Sequence, residues 1–564
     1  MKPIFFTFLF LVFSLHGRAQ GIYPPTIWTS GVTALDPGIE DSGLEFLDIA
    51  VTPGTSDDVY AVAVIYSPVN VNGITVMPDE ENGTSMLLLK YNLNGEFQWL
   101  KNLGYLGESI IHICAGSNGQ VFLTSSMTVE EINFGNGVSV LRACLDGCQE
   151  MFVACLNGNG QALWAKSVSA GSNAYLASAG IATNPAGNVV VGGNYEGTSA
   201  NFGPGFDFNN LAEGGFFLAV YNAANGTPQA VQFLASDSDP ADLQHLAINP
   251  NGVIVLSGSF SGNLKFANGV GINTTGFFDG FVAGLSPGGA AQWAKSVTSS
   301  DYLDILGIDI DDAGNAYLAI DASTDLRLDN SLILNINNAY AGVVLKVGST
   351  LFSLPVVIEY PTSDYAVMDA KLDHWGNIYT IGYLSEPVPY GPNKAAIDGC
   401  VDGFMTGTSN EGLPQWSRTV GGSGCEGLIN GYYGAAIAID DAGFMYCTGL
   451  FIEGFSEDGI SIPGAGGFIS KFNTSIVDTD EPGSLVPMQI APNPSTGNFA
   501  IQLASMPPAN TEFLLYNMQG SIVYRQAVTA EQTEVQTDLP TGVYSAVLRN
   551  GARMERFKLI VQRG

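Results

Sequence analysis

Positive charge is scarce in this sequence. Lys and Arg number 20 in 564 residues against 53 Asp and Glu, a net charge of −33. Nucleic-acid grip rests on Lys and Arg neutralising phosphates, so nucleic acid is excluded, and the same charge disfavours docking to anionic lipid headgroups. Charge of either sign is thin, at 13% of residues, about half the usual share. Histidine is scarcer still: after His16 only His112, His245 and His374 remain. No H-E-x-x-H, G-x-S-x-G or P-loop pattern occurs, and no C-x-x-C pair that would open a zinc site. No apolar run reaches 18 residues, so no transmembrane segment is expected.

What the sequence does have is glycine, 69 residues of it, and 46% apolar residues, the composition of a β protein with many tight turns. At the N-terminus, Lys2 precedes the apolar stretch Ile4–Leu15, and Gly17-Arg18-Ala19 ends in a small residue. This is a secretory signal pattern over residues 1–19, with cleavage expected before Gln20.

Tryptophan exposes an internal repeat. Trp28, Trp99, Trp164, Trp293 and Trp416 each open a short motif such as Trp164-Ala-Lys-Ser-Val168. Their spacings are one or two periods of about 65 residues, and Ala230 and the Leu351–Pro355 region stand where two copies lack Trp. A second motif with the same period is Asp/Asn-x-x-Gly between apolar stretches, ending at Gly119, Gly187, Gly252, Gly314, Gly376 and Gly443, with a weak copy near Asp57. Asp or Asn opening a turn closed by Gly is a hairpin signature. A third is a strand beginning at Phe152, Phe281, Phe404 or Phe468.

Each unit therefore reads as four strands joined by short connections, and seven units predict an all-β, seven-bladed β-propeller over residues 20–472. The last unit has no Trp strand after Phe468, whereas the Trp28 strand stands alone in front. The N-terminal strand is thus expected to complete the last blade and close the ring, removing open sheet edges. The motifs resemble the SBBP-type seven-bladed propeller repeat.

Charge changes abruptly near the C-terminus. From Met488 onward there are six basic and five acidic residues, whereas residues 20–487 carry 12 and 48. The Pro/Gly/Asp-rich stretch 473–487 reads as a linker, and 488–564 as a small Ig-like β-sandwich with alternation at Phe499, Ile501 and Leu503. Ala491-Pro492-Asn493-Pro494 with Gly497, then Tyr516-Asn-Met-Gln-Gly520, Leu539-Pro-Thr-Gly542-Val543-Tyr544 and Phe557-Lys558-Leu-Ile-Val561 resemble the C-terminal sorting domain of the type IX (Por) secretion system of Bacteroidota. The resemblance implies passage across the outer membrane, removal of this domain by the system's sortase, and, for type A members, attachment to surface lipopolysaccharide.

Seven cysteines in an exported chain leave at least one without an internal bridge. The expected pairs are Cys144–Cys148 and Cys400–Cys425, with Cys114, Cys155 and Cys447 as strand thiols. Asp309, Asp311 and Asp312 lack the Glu that would complete an EF-hand loop and read as hairpin-turn carboxylates. His374 reads as a solvated turn residue. Counting seven back from each turn glycine gives Ala50, His112, Gly180, His245, Gly307, Asp369 and Ala436. His112, His245 and Asp369 are thus the candidate ligand ring of the channel, weighed against plain hydrogen bonding between crowded inner strands. No catalytic residue, metal or cofactor is expected. The leading functional reading is a non-enzymatic surface or secreted binding protein for a glycan or protein, using strand-two-to-three insertions such as Val69–Asn82 and Glu130–Cys148. The alternatives are a secreted hydrolase or lyase at the channel mouth and a structural spacer.

Overall fold

The computed structural model describes residues 26–35, 43–53, 58–107, 110–144, 147–171, 174–211, 214–235, 241–274, 279–348, 356–361, 365–384, 389–390, 393–394, 402–410, 412, 414–420, 435–451, 454–458, 460–474, 488–503, 506–507, 511–516, 522–550 and 553–562. Every regular element among them is a β-strand.

The strands form a succession of four-stranded antiparallel meanders. Sheet one runs from Leu44–Val51 to Phe97–Gly104, and sheet two from Ile111–Ala115 to Ala162–Ala170. Sheet three runs from Tyr175–Thr183 to Pro228–Ala235, and sheet four from Ala241–Ile248 to Ala291–Thr298. Sheet five runs from Leu303–Ile310 to Val356–Pro361, and sheet six from Tyr365–Leu372 to Pro414–Val420. Sheet seven takes Ile437–Ile439, Phe444–Phe451 and Gly466–Asn473 from one end of the chain and Thr26–Ala34 from the other. Trp28 pairs with Lys471 and Gly31 with Phe468, so the N-terminal strand completes the last meander as the strand count requires. The fourth strand of sheet five is Val356–Pro361, just beyond the region expected for it.

First strands of successive sheets lie side by side, and that of sheet seven lies against that of sheet one. Apolar side chains fill the wedge between each pair of neighbours. Tyr60 and Val62 of sheet one meet Ile113 and Phe152 of sheet two, and Trp28 and Tyr446 of sheet seven meet Phe46 and Val59 of sheet one. A sheet covered on both faces needs continuous apolar runs, not alternation. Asp58–Ile65 shows this: after Asp58, every residue is buried.

Three tryptophans latch one sheet to the next. The indole Nε1 of Trp28 donates to the Leu93 carbonyl at 2.7 Å, that of Trp99 to Gly158 at 3.0 Å and that of Trp164 to Ala223 at 2.8 Å. Each acceptor lies in the turn before the next sheet's fourth strand, so Trp28, Trp99 and Trp164 hold equivalent places in their units.

The insertions between second and third strands carry small hairpins. Val69–Val71 pairs with Ile74–Val76, Glu131–Gly135 with Val138–Leu141, Asn263–Lys265 with Gly271–Asn273, and Phe455–Glu457 with Ile460–Ile462. The Val69–Val71 strand also extends sheet seven, with Ala34 paired to Val69.

The C-terminal segment is two antiparallel sheets. One holds Met488–Ala491, Asn498–Leu503 and Gln532–Gln536; the other holds Ile522–Ala527, Glu512–Tyr516, Gly542–Asn550 and Arg553–Val561. Ile490, Phe499 and Ile501 of the first meet Phe513, Ala546 and Leu559 of the second in a common core.

Candidate functional site

Strand direction separates the seven sheets into two ends. Turns between strands one and two, and three and four, fall at the turn end. The start of each first strand, the hairpin-bearing connection and the finish of each fourth strand fall at the long-loop end. The candidate ring lies on the first strands, between the two.

Register shows where these residues sit. A bulge interrupts the first strand of sheets one, three, four, five and six, and the residue after it is Asp48, Gly180, His245, Gly307 or Asp369. Sheet two places His112 at this level without a bulge, opposite Thr124. Sheet one is therefore represented by Asp48, not Ala50. The first unit has no glycine at its weak turn motif near Asp57, and counting back seven from there lands two residues late. Two residues on, the same strands carry Cys114, Asp309 and Lys371. These side chains all keep some accessible surface although they lie deep among protein atoms.

Most of the polar groups here join one sheet to the next. Asp48 accepts the Ile49 N–H on Oδ1 and the Ile113 N–H of sheet two on Oδ2, both at 2.8 Å. Asp309 does the same with Ile310 at 2.9 Å and Leu372 of sheet six at 2.7 Å. Asp369 accepts Ala370 at 2.8 Å and Ile437 of sheet seven at 3.4 Å. His245 donates from Nε2 to the Ile305 carbonyl of sheet five at 2.8 Å. Lys371 reaches Asp369 Oδ1 at 3.1 Å and the Ile308 carbonyl at 3.3 Å. Gly307 is required by this crowding, since a Cβ there would stand 2.5 Å from Asp369 Oδ1.

Protonation follows burial. It pushes Asp48 up to about 7 against its two N–H bonds, and it raises Asp309. His112 falls to about 4 through burial and its neighbour His245, which burial also lowers. Burial would lower Lys371, but Asp369 and Asp309 outweigh it and raise the ammonium. At neutral pH the level thus holds neutral imidazoles and one ammonium among carboxyl groups.

The remaining sequence candidates fall as follows. Cys144 and Cys148 form a disulfide with Cα atoms 6.1 Å apart. Buried Glu150 holds that loop by accepting the N–H groups of Ala143 at 2.9 Å and Cys144 at 3.1 Å. Cys400 and Cys425 lie outside the described residues. Cys155 and Cys447 are buried thiols, whereas Cys114 is only half-buried. Asp311 closes its turn through the Asn315 N–H at 2.8 Å and pairs with Lys346 at 3.2 Å, and Asp312 is exposed. In the C-terminal segment Asn493 accepts the Ile560 N–H at 2.8 Å, and Pro492 and Pro494 follow cis peptide bonds. The Gly497 N–H donates to Ser495 Oγ at 3.0 Å, and the Tyr544 hydroxyl donates to the Pro540 carbonyl at 2.9 Å. Gly542 pairs with Val561, Val543 with Ile560 and Ser545 with Lys558, whereas Gly520 lies outside the described residues.

A feature at the long-loop end escaped the sequence reading. Asp304 and Asp321 face each other across the first and second strands of sheet five. Burial, then the charge of Asp304, pushes Asp321 up to about 7, and burial raises Asp304 and Asp242 of sheet four. A carboxyl whose folded pKa exceeds its unfolded value stabilises the fold below the unfolded pKa and loses that contribution as pH rises through the folded one. Asp321→Asn is therefore expected to melt higher than the parent at pH 8, with the gain disappearing by pH 4; thermal melts across that range check it.

Residues 489–562 match the secretion system C-terminal sorting domain. That domain marks the chain for secretion through the type IX system to the cell surface or extracellular space, and implies contact with the secretion machinery. No curated protein matches the sequence. Among solved structures, a protein of unknown function from Dyadobacter fermentans is 9% identical with a TM-score of 0.34, covering 80% of this chain and 99% of its own. The GH74 xyloglucanase of Xanthomonas campestris is 9% identical with a TM-score of 0.31, covering 92% and 79%. A prolyl endopeptidase is 10% identical with a TM-score of 0.37, covering 86% of this chain and 56% of its own. Likenesses this weak say nothing further about the chain.

Proposed function

We propose that the seven meanders form a closed seven-bladed β-propeller of the SBBP repeat type, and that it works outside the cell as a non-enzymatic binding module for a protein or glycan. The domain division that goes with this is a signal peptide over 1–19, the propeller over 20–472, a linker over 473–487 and a type A sorting domain over 488–564. The sorting domain is removed on export and the mature protein attached to surface lipopolysaccharide.

The observation that carries the binding reading is the contrast between the central level and the long-loop end. Asp48, Asp309, Asp369 and His245 are engaged by backbone groups of neighbouring sheets, a structural duty that a general base or nucleophile would have to abandon. The long-loop end instead carries hairpins, a disulfide-closed loop and exposed apolar side chains. Loops on a rigid scaffold are where binding residues concentrate. Any small molecule that shares the channel with His112, His245 and Asp369 is uncharged or cationic, because the surrounding charge repels anions.

The extracellular protein is expected to have an intact mass lacking both 1–19 and the segment from about Met488 onward, and to bind on glycan or protein arrays without turnover of polysaccharides or peptides. A surface form that retains Lys558 refutes the sorting part. Turnover refutes the binding part.

A further inference from the structure

We propose that the long-loop end is a docking surface for a partner protein whose contacting segment combines basic and apolar side chains. This rests on the binding reading above and names the partner it would take.

Two different arcs meet at this end. Leu35, Tyr66, Met77, Ile110, Leu141 and Tyr175 are each 38–63% exposed. They stand at the long-loop ends of sheets seven, one, two and three, which are consecutive neighbours. The turn end offers only Ile27, Leu163 and Trp375 among the described residues, one each on sheets seven, two and six. Clustered exposed apolar groups with a polar border mark interaction sites, whereas scattered ones need no explanation.

The second arc is acidic. Sheets four and five carry Asp242, Asp304 and Asp321 at the same end, and Asp321 Oδ1 is buried without a hydrogen-bond partner. Like charges directly opposite on neighbouring strands destabilise a sheet. An ammonium or guanidinium placed between Asp304 and Asp321 would turn that repulsion into two attractions. A negative patch also steers a basic partner toward the surface and discriminates against acidic ones.

The apolar arc separates protein from glycan. Sugars stack on flat aromatic rings, but four of these six side chains are aliphatic. Leu, Ile and Met suit apolar side chains, and the two tyrosines supply the amphipathic anchors common at protein interfaces.

The test uses the secreted protein and a short fluorescent peptide alternating Lys and Leu, read by anisotropy at physiological salt, with a Glu/Leu peptide as its opposite. The Lys/Leu peptide is expected to bind and the Glu/Leu peptide to fail. Asp304→Asn with Asp321→Asn is expected to weaken binding about fivefold or more, roughly 1 kcal/mol. Leu141→Ser with Tyr175→Ser is expected to do the same. The control Glu96→Gln with Asp312→Asn removes the same charge at the turn end and should leave affinity unchanged. The Asp304/Asp321 pair relieves a repulsion, so it should melt no lower than the parent at pH 8. Equal weakening by the control overturns the proposal, because attraction would then follow net charge alone. Failure of the Lys/Leu peptide also overturns it. In that case retention of an immobilised glycan leaves the binding reading standing, and retention of nothing removes both.

Discussion

Replacing Trp28 by Ala is expected to destabilise the 26–474 segment by about 3–5 kcal/mol, the usual cost of emptying a buried large aromatic site. Trp28 is 8% exposed, packs against Tyr91 and Tyr446, and donates to Leu93. The loss removes both the filling of the wedge between sheets seven and one and the latch that crosses it. Trp375→Ala is the control, since that indole is 55% exposed at a turn and its loss should stay within about 0.5 kcal/mol. Chemical denaturation of both variants checks the difference. Deleting residues 21–32 should do more than lower stability. It strips the edge from Gly466–Asn473 and exposes a row of unpaired backbone groups, which invites strand pairing between molecules. Light scattering should then show association in the deletion and not in Trp28→Ala. Two tryptophan variants of equal stability would mean that the N-terminal strand is an accessory.

Much of this architecture was legible because its causes are periodic. Tryptophan takes the same place in each unit that carries it, the Asp/Asn-x-x-Gly turn needs one glycine per unit, and both print the same spacing on the sequence. The lone N-terminal Trp strand was legible by subtraction. The hairpins between second and third strands were missed although their signal is strong. Asn72-Gly73, Asn136-Gly137, Asn268-Gly269, Asp329-Asn330 and Asp458-Gly459 recur with the unit. Asn72, Gly73, Asn136, Gly137, Asp329 and Asn330 all have positive φ, as two-residue hairpin turns demand. A reading tuned to the long period passed over a two-residue signal inside it.

The polar level was legible only in part. His112, His245 and Asp369 share a repeat position, so counting found them. Asp48 did not emerge, because the first unit's weak turn motif near Asp57 has no glycine to count from. Nor could composition show that these carboxylates answer backbone N–H groups of the next sheet. That duty depends on a bulge whose place is set by tertiary packing, not by residue type. Asp304 and Asp321 lie 17 residues apart in sequence and become opposites only once the same bulge fixes the register. Like charges held face to face run against local preference, and such conflicts tend to mark functional surface.

Changing Gly226 to Ala should be among the costliest methyl additions in the protein. Gly226 has φ +67° and sits in the turn whose Ala223 carbonyl receives the Trp164 indole. A Cβ there would stand 2.4 Å from Trp164 Cε3 and 2.6 Å from Cδ2. The left-handed backbone alone costs an L-residue about 1–2 kcal/mol, and overpacking a filled site adds about 1–3 kcal/mol. Gly187 separates the two terms. It has φ +77° in the turn between the first and second strands of the same sheet, and a Cβ there meets nothing within 4 Å, so Gly187→Ala should show the left-handed backbone cost alone. The indole cannot simply retreat, because its Nε1–H is fixed to Ala223 and its ring is 5% exposed between sheets two and three. Trp164→Ala should therefore absorb the steric part. In that background Gly226→Ala should cost no more than Gly187→Ala does in the parent, and a double-mutant cycle from denaturation curves measures the difference. A Gly226→Ala penalty that survives removal of Trp164 would place the strain in the turn itself. The glycine would then not be what lets the latch close.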